Sequence, residues 1–81
     1  MSREIILQKL SNIFIDVFDN EELVLTEETS DADINGWDSL QLIHILVAVE
    51  DVFGIRIKAE NAYDLKSVGK MIDCIEDGLK R

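Results

Sequence analysis

Apolar positions recur at steps of three and four along most of this chain, in blocks separated by polar segments. From about Arg3 to Phe18, the residues Ile6, Leu10, Ile13, Phe14 and Val17 fall on one stripe of a 3.6-residue helix, with Ser2 placed to cap its N-terminus. A second helix is predicted over Ser39–Phe53 and ends at Gly54, a residue suited to a C-terminal cap. Ile55–Ile57 reads as a tight extended piece, and a short turn of helix is expected around Ala59–Tyr63. The last helix opens at a Ser67 cap and turns Val68, Met71, Ile72, Ile75 and Leu79 inward. Between the first two helices lies Asp19–Asp38, which holds Leu23, Val24 and Leu25 but no sustained period. That is more than a bundle loop normally needs, and long loops in small domains usually have a job.

The pattern predicts an all-α fold: a small four-helix bundle with a long loop between helices one and two and a short third helix, forming one domain over residues 1–81. Hydrophobic residues make up 47% of the chain, enough for a packed core, and the absence of proline favours helices with short punctuation. The lone Cys74 cannot form an intrachain disulfide and reads as a small buried hydrophobe beside the inner face of the last helix. Arg3 and Glu4 near the N-terminus do not suit a signal peptide, and the longest apolar run, Ile45–Val49, is far too short to cross a bilayer. The expectation is a cytoplasmic monomer with no membrane insertion.

Charge sharpens the picture. The net charge is −9, and residues 10–55 contain eleven acids and no Lys or Arg, while the flanking segments 1–9 and 56–81 are each net +1. Such a field repels nucleic acid and anionic membrane, and attracts metal cations or proteins with basic docking patches. A solvated acidic surface that keeps a small protein soluble is the plainer reading of the same charges.

The stretch D-A-D-I-N-G-W-D-S-L-Q-L, Asp31–Leu42, can be read from either end. From the left, Asp31, Asp33, Asn35 and Gly36 match the opening of an EF-hand calcium loop. Its eighth and twelfth positions are Asp38 and Leu42, where an apolar residue and a bidentate Glu are required, and Leu42 has no oxygen to offer. The Asp31–Gly36 segment then reads as a polar turn, with Asn35-Gly36 supplying left-handed backbone. A hydrolase triad of Asp38, Ser39 and His44 fails on geometry, because His44 lies roughly 140° around one helix from Ser39. His44 is expected on an exposed stripe with Gln41, Ala48 and Asp51, and a single His with a single Cys makes no zinc set.

From the right, Ser39 opens a helix after a glycine turn, where its hydroxyl is exposed and the first N–H groups and helix dipole favour a neighbouring anion. Capping by Asp38 or Ser39 alone would also explain these residues. The helix that follows has more apolar residues than one buried stripe requires. Leu42, Ile45, Leu46, Val49 and Phe53 make an inner face, leaving Leu40, Ile43 and Val47 on a second strip running away from Ser39. An exposed apolar strip beside an exposed serine in an acidic field has the anatomy of a docking surface.

The segment G-W-D-S-L-Q-L-I-H-I-L-V-A-V-E-D-V-F-G-I-R-I, Gly36–Ile57, resembles the centre of the acyl carrier protein family, where D-S-L opens the second helix and F-G-I closes it. The resemblance covers essentially the whole chain. It implies that Ser39 receives 4′-phosphopantetheine from coenzyme A through a phosphopantetheinyl transferase, that Asp38 helps position that reaction, and that Leu40, Ile43 and Val47 meet partner enzymes. Those partners would be acyl-loading, condensing or acyl-transferring enzymes, and the protein would be a carrier rather than an enzyme, with no metal site. Fatty-acid carriers typically show G-A-D-S-L followed by an acid-rich helix; here Trp37 precedes Asp38, and Gln41 and His44 stand at expected acidic positions. The W-D-S-L form resembles discrete carriers of specialised pathways, including polyketide, amino-acyl and cell-surface tailoring systems, with an aminoacyl or peptidyl carrier protein as the alternative to an acyl carrier. The alternatives from other classes are an EF-hand-like calcium module and a structural helical adaptor.

Overall fold

The computed structural model describes residues 1–80, which form four helices in the order α1 (Arg3–Phe18), α2 (Ser39–Phe53), α3 (Ala59–Ala62) and α4 (Val68–Leu79). The caps explain the boundaries. The Ser2 hydroxyl accepts the Ile5 N–H at 3.2 Å, and the Ser67 hydroxyl accepts that of Lys70 at 3.3 Å. At the far end of α2, Gly54 takes a left-handed φ of 67° and closes the helix with a 2.9 Å bond from its N–H to the Glu50 carbonyl. α1 ends less comfortably, on Asp19 at φ 50°.

α1 packs against both α2 and α4. The core forms from Ile6, Leu10, Ile13 and Phe14 of α1, Ile45, Val49 and Phe53 of α2, and Val68, Met71, Ile72 and Ile75 of α4. Each such side chain, fully buried, contributes about 1.5–3 kcal/mol of transfer free energy. Val17, Leu42 and Leu46 reach the core only in part. Leu79, expected on the inner face, is instead 37% exposed. In the last turn of α4 it is Gly78 that abuts the bundle, with Ile55 side-chain atoms 3.1–3.2 Å from where a Gly78 Cβ would stand. α3 is one residue shorter at its end than expected, with Tyr63 as its C-cap.

The long loop is a structural element in its own right. Leu25, Ile34 and Trp37 enter the core, and the Trp37 ring meets Phe14 edge-on at 5.1 Å and 76°. Its backbone also caps α4. The Val68 N–H donates to the Thr29 carbonyl at 2.8 Å and the Gly69 N–H to the Glu27 carbonyl at 2.9 Å, satisfying donors that a helix N-terminus leaves open. An isolated antiparallel bridge pairs Ser30 with Ser67.

Arg3 of α1 binds both this loop and α4. Its guanidinium grips Glu27 bidentately, Nη2 to Oε1 at 2.5 Å and Nε to Oε2 at 3.3 Å, and Nη1 reaches Asp73 at 2.8 Å as well as Glu76. The hydrogen bonds from Arg3 hold the Glu27 carboxyl below its ordinary value. No helix of the described residues is long and apolar enough to cross a membrane.

Candidate functional site at the start of the second helix

The approach to α2 is set by a left-handed turn. Gly36 has φ +92°, a conformation costly for any residue with a side chain, and the Trp37 N–H closes the turn on the Ile34 carbonyl at 3.3 Å. Trp37 is thereby sent into the core, while Asp38 and Ser39 emerge exposed. Asp38 is extended and its carboxylate accepts the Gln41 N–H at 2.9 Å, so Asp38 rather than Ser39 supplies the cap. Its carbonyl takes the Leu42 N–H at 2.9 Å. Ser39 is left as the first helical residue with an uncommitted, exposed hydroxyl.

The rest of D-A-D-I-N-G is a polar turn around the buried Ile34, in which Gly36 alone, and not Asn35, takes up left-handed backbone. The Asp33 carboxylate accepts the Ser30 N–H at 2.9 Å and the Ser30 hydroxyl at 3.3 Å, which consumes an oxygen a calcium loop would need. Among the described residues no group of three or more His, Cys, Asp or Glu side chains is arranged to hold a metal ion. Ser39 and His44 share one helix and no hydrogen bond joins them.

Along α2, the outward strip is real. Leu40, Ile43 and Val47 are 59%, 57% and 61% exposed, among the larger apolar exposures on the molecule. His44 and Asp51 are exposed beside it. The expected polar stripe departs from the structure at Gln41 and Ala48, which are half-buried, Ala48 against the core. The Gln41 Oε1 atom is buried without a partner. Cys74 is half-buried and packs against the core from α4 rather than inside it.

One residue of the site is invisible in the local sequence. Asp31, Trp37, Asp38, Ser39, Leu42 and Lys66 line a hollow of about 220 Å³. Lys66 arrives there because the Asp31 N–H donates to its carbonyl at 2.9 Å, next to the Ser30–Ser67 bridge. It brings a cation to a segment that has none of its own between residues 10 and 55.

Comparison with known proteins agrees with this anatomy. The family described as "Phosphopantetheine attachment site" matches residues 8–75. The chain is 37% identical over 79 residues to an acyl carrier protein of Coprothermobacter proteolyticus, covering 98% of this chain and 96% of that one. It is 32% identical over 75 residues to an acyl carrier protein of Streptococcus pneumoniae, covering 93% and 97%. Among solved structures it resembles the holo acyl carrier protein from Geobacter metallireducens, with TM-score 0.84, 39% identity and coverage of 93% and 86%. It also resembles an acyl carrier protein from Thermotoga maritima, with TM-score 0.86, 25% identity and coverage of 99% and 93%. The chain belongs to the acyl carrier protein family, non-enzymatic carriers that hold a covalently attached phosphopantetheine and work with phosphopantetheinyl transferases and acyl-handling enzymes.

Proposed function

We propose that Ser39 carries the 4′-phosphopantetheine arm and that residues 1–81 act as one monomeric carrier domain in the cytoplasm, where coenzyme A is at hand. The observation that carries this reading is the division of labour at the start of α2: Asp38 caps the helix, so the hydroxyl of the exposed Ser39 is uncommitted. The local residues fit a phosphodiester. With the Gln41 and Leu42 N–H groups taken by Asp38, the N–H groups of Ser39 and Leu40 face an anion at the positive end of the helix dipole.

The arm, once attached, supplies a terminal thiol on which an acyl group is held as an activated thioester. The chain's own part is recognition. Leu40, Ile43 and Val47 give partners an apolar strip beside the attachment point, and tethering turns visits to successive enzymes into encounters at high effective concentration. Because Gln41 and His44 stand where fatty-acid carriers have acids, the partners belong to a specialised pathway rather than housekeeping fatty-acid synthesis. Fewer rim acids mean weaker steering by basic patches.

Incubation with coenzyme A and a broad-specificity transferase, followed by intact mass and peptide mapping, should add one phosphopantetheine at Ser39. Ser39→Ala should fold and stay unmodified; label on Ser11, Ser30 or Ser67 would refute the assignment. The loaded protein should be a poor substrate for fatty-acid elongation enzymes, and turnover equal to a dedicated fatty-acid carrier would overturn the pathway reading alone.

A further inference from the structure

We propose that Lys66 is a positioning residue that holds the phosphodiester of the arm over the N-terminus of α2. The inference rests on Ser39 being the attachment site and deepens that reading. Among the described residues Lys66 is the only cation lining the hollow beside Ser39, and it shares that hollow with Asp31 and Asp38. A phosphodiester on Ser39 adds a third negative charge to this space. Among the described residues neither aspartate forms an ion pair with Lys66, so its ammonium is uncommitted there.

The backbone at and just after Lys66 is fixed, by the Asp31 N–H on its carbonyl and by Val68 and Gly69 bound to Thr29 and Glu27. Its side chain is exposed. A flexible stem on an anchored base lets a point charge follow a phosphate without demanding one geometry, which suits lysine better than a planar fork. Pinning the phosphate would restrict the directions in which the rest of the arm leaves the protein. At an exposed site, such a pair biases the phosphate toward contact by about two- to fivefold, and salt weakens it.

The test uses the holo protein, with loading at Ser39 first established by mass and peptide mapping. Phosphorus NMR is then compared for wild type, Lys66→Ala, Lys66→Arg and Lys70→Ala, the last being a lysine that lines a different hollow with Asp64 and Asp73. At low salt, Lys66→Ala should shift and narrow the phosphorus resonance, Lys66→Arg should restore much of the wild-type position, and Lys70→Ala should leave it in place. Added salt should move the wild-type resonance toward that of Lys66→Ala. Coincident low-salt spectra of wild type and Lys66→Ala, with Ser39 loaded, would overturn the role of Lys66 and leave the carrier reading standing. Absence of added mass at Ser39 would overturn both.

Discussion

Replacing Gly69 by alanine reverses a familiar sign. In a helix interior, alanine is favoured over glycine by at most about 1 kcal/mol. At Gly69, however, a Cβ would stand 2.9 Å from the Glu27 carbonyl oxygen, and 3.8 Å from both the carbonyl carbon and Cβ of the same residue. The nearest obstacle is backbone, so no rotamer change relieves it. The loop must retreat from α4, which breaks the 2.9 Å bond from the Gly69 N–H to Glu27 and strains the 2.8 Å bond from Val68 to Thr29. Two such bonds at about 1 kcal/mol each, plus the steric contact, outweigh the propensity gain. We expect a net loss of about 1–2 kcal/mol.

For a domain of this size that loss corresponds to a melting temperature lower by roughly 5–15 °C. Urea denaturation followed by far-UV circular dichroism measures the free energy, and amide hydrogen exchange locates it. Protection of the Asp31, Val68 and Gly69 amides should fall more than that of Ile45 or Val49 in α2. A Gly69→Ala protein as stable as wild type, or more so, would show that the loop does not press on α4 as described.

Arg3→Ala should flatten the acid side of the stability profile. Glu27 is depressed in the folded protein, so its contribution is present above its unfolded value near 4.3 and is lost as pH falls through the lower folded value. Urea midpoints measured from about pH 6 down to about pH 3 should therefore drop less steeply in the variant, and equal slopes would contradict the role of Arg3. Trp37→Ala should cost about 3 kcal/mol, since it removes a ring that is 9% exposed and packed on Phe14, whereas near-neutral stability would mean the loop contributes little to the core. Calcium titration should show only weak, diffuse binding that is unchanged by Leu42→Ala; tight stoichiometric binding abolished by Asp31→Ala would revive the EF-hand reading.

α1, α2 and α4 are legible in the sequence because two independent signals coincide: an apolar period, and a capping residue at Ser2, Asp38, Gly54 or Ser67. The outward strip Leu40, Ile43 and Val47 is legible too, as surplus apolar residues on a helix with few neighbours. The loop is not. Ile34 and Trp37 are isolated apolar residues in a polar run, and only their tertiary partners make them core. Leu79 misleads because in the last turn of α4 the face against the bundle is the one Gly78 occupies, where Ile55 packs. Lys66 and the contacts of Arg3 with Glu27, Asp73 and Glu76 join distant parts of the chain, and no local pattern records such pairings.

Gln41 and His44 do not weigh equally in the pathway reading. Gln41 is half-buried with its amide oxygen shut away from solvent, so a carboxylate there would have to be desolvated beside the Asp38 cap. In this chain the packing around Gln41 therefore disfavours an acid at that position, whatever the partner. His44 is exposed on the rim of the apolar strip, where a glutamate would meet no such cost. The absence of an acid there is therefore the better indicator of partner choice. A charge exchange meant to improve recognition by basic fatty-acid enzymes belongs at His44 alone, since at Gln41 any gain in steering is mixed with the cost of desolvating the new carboxylate.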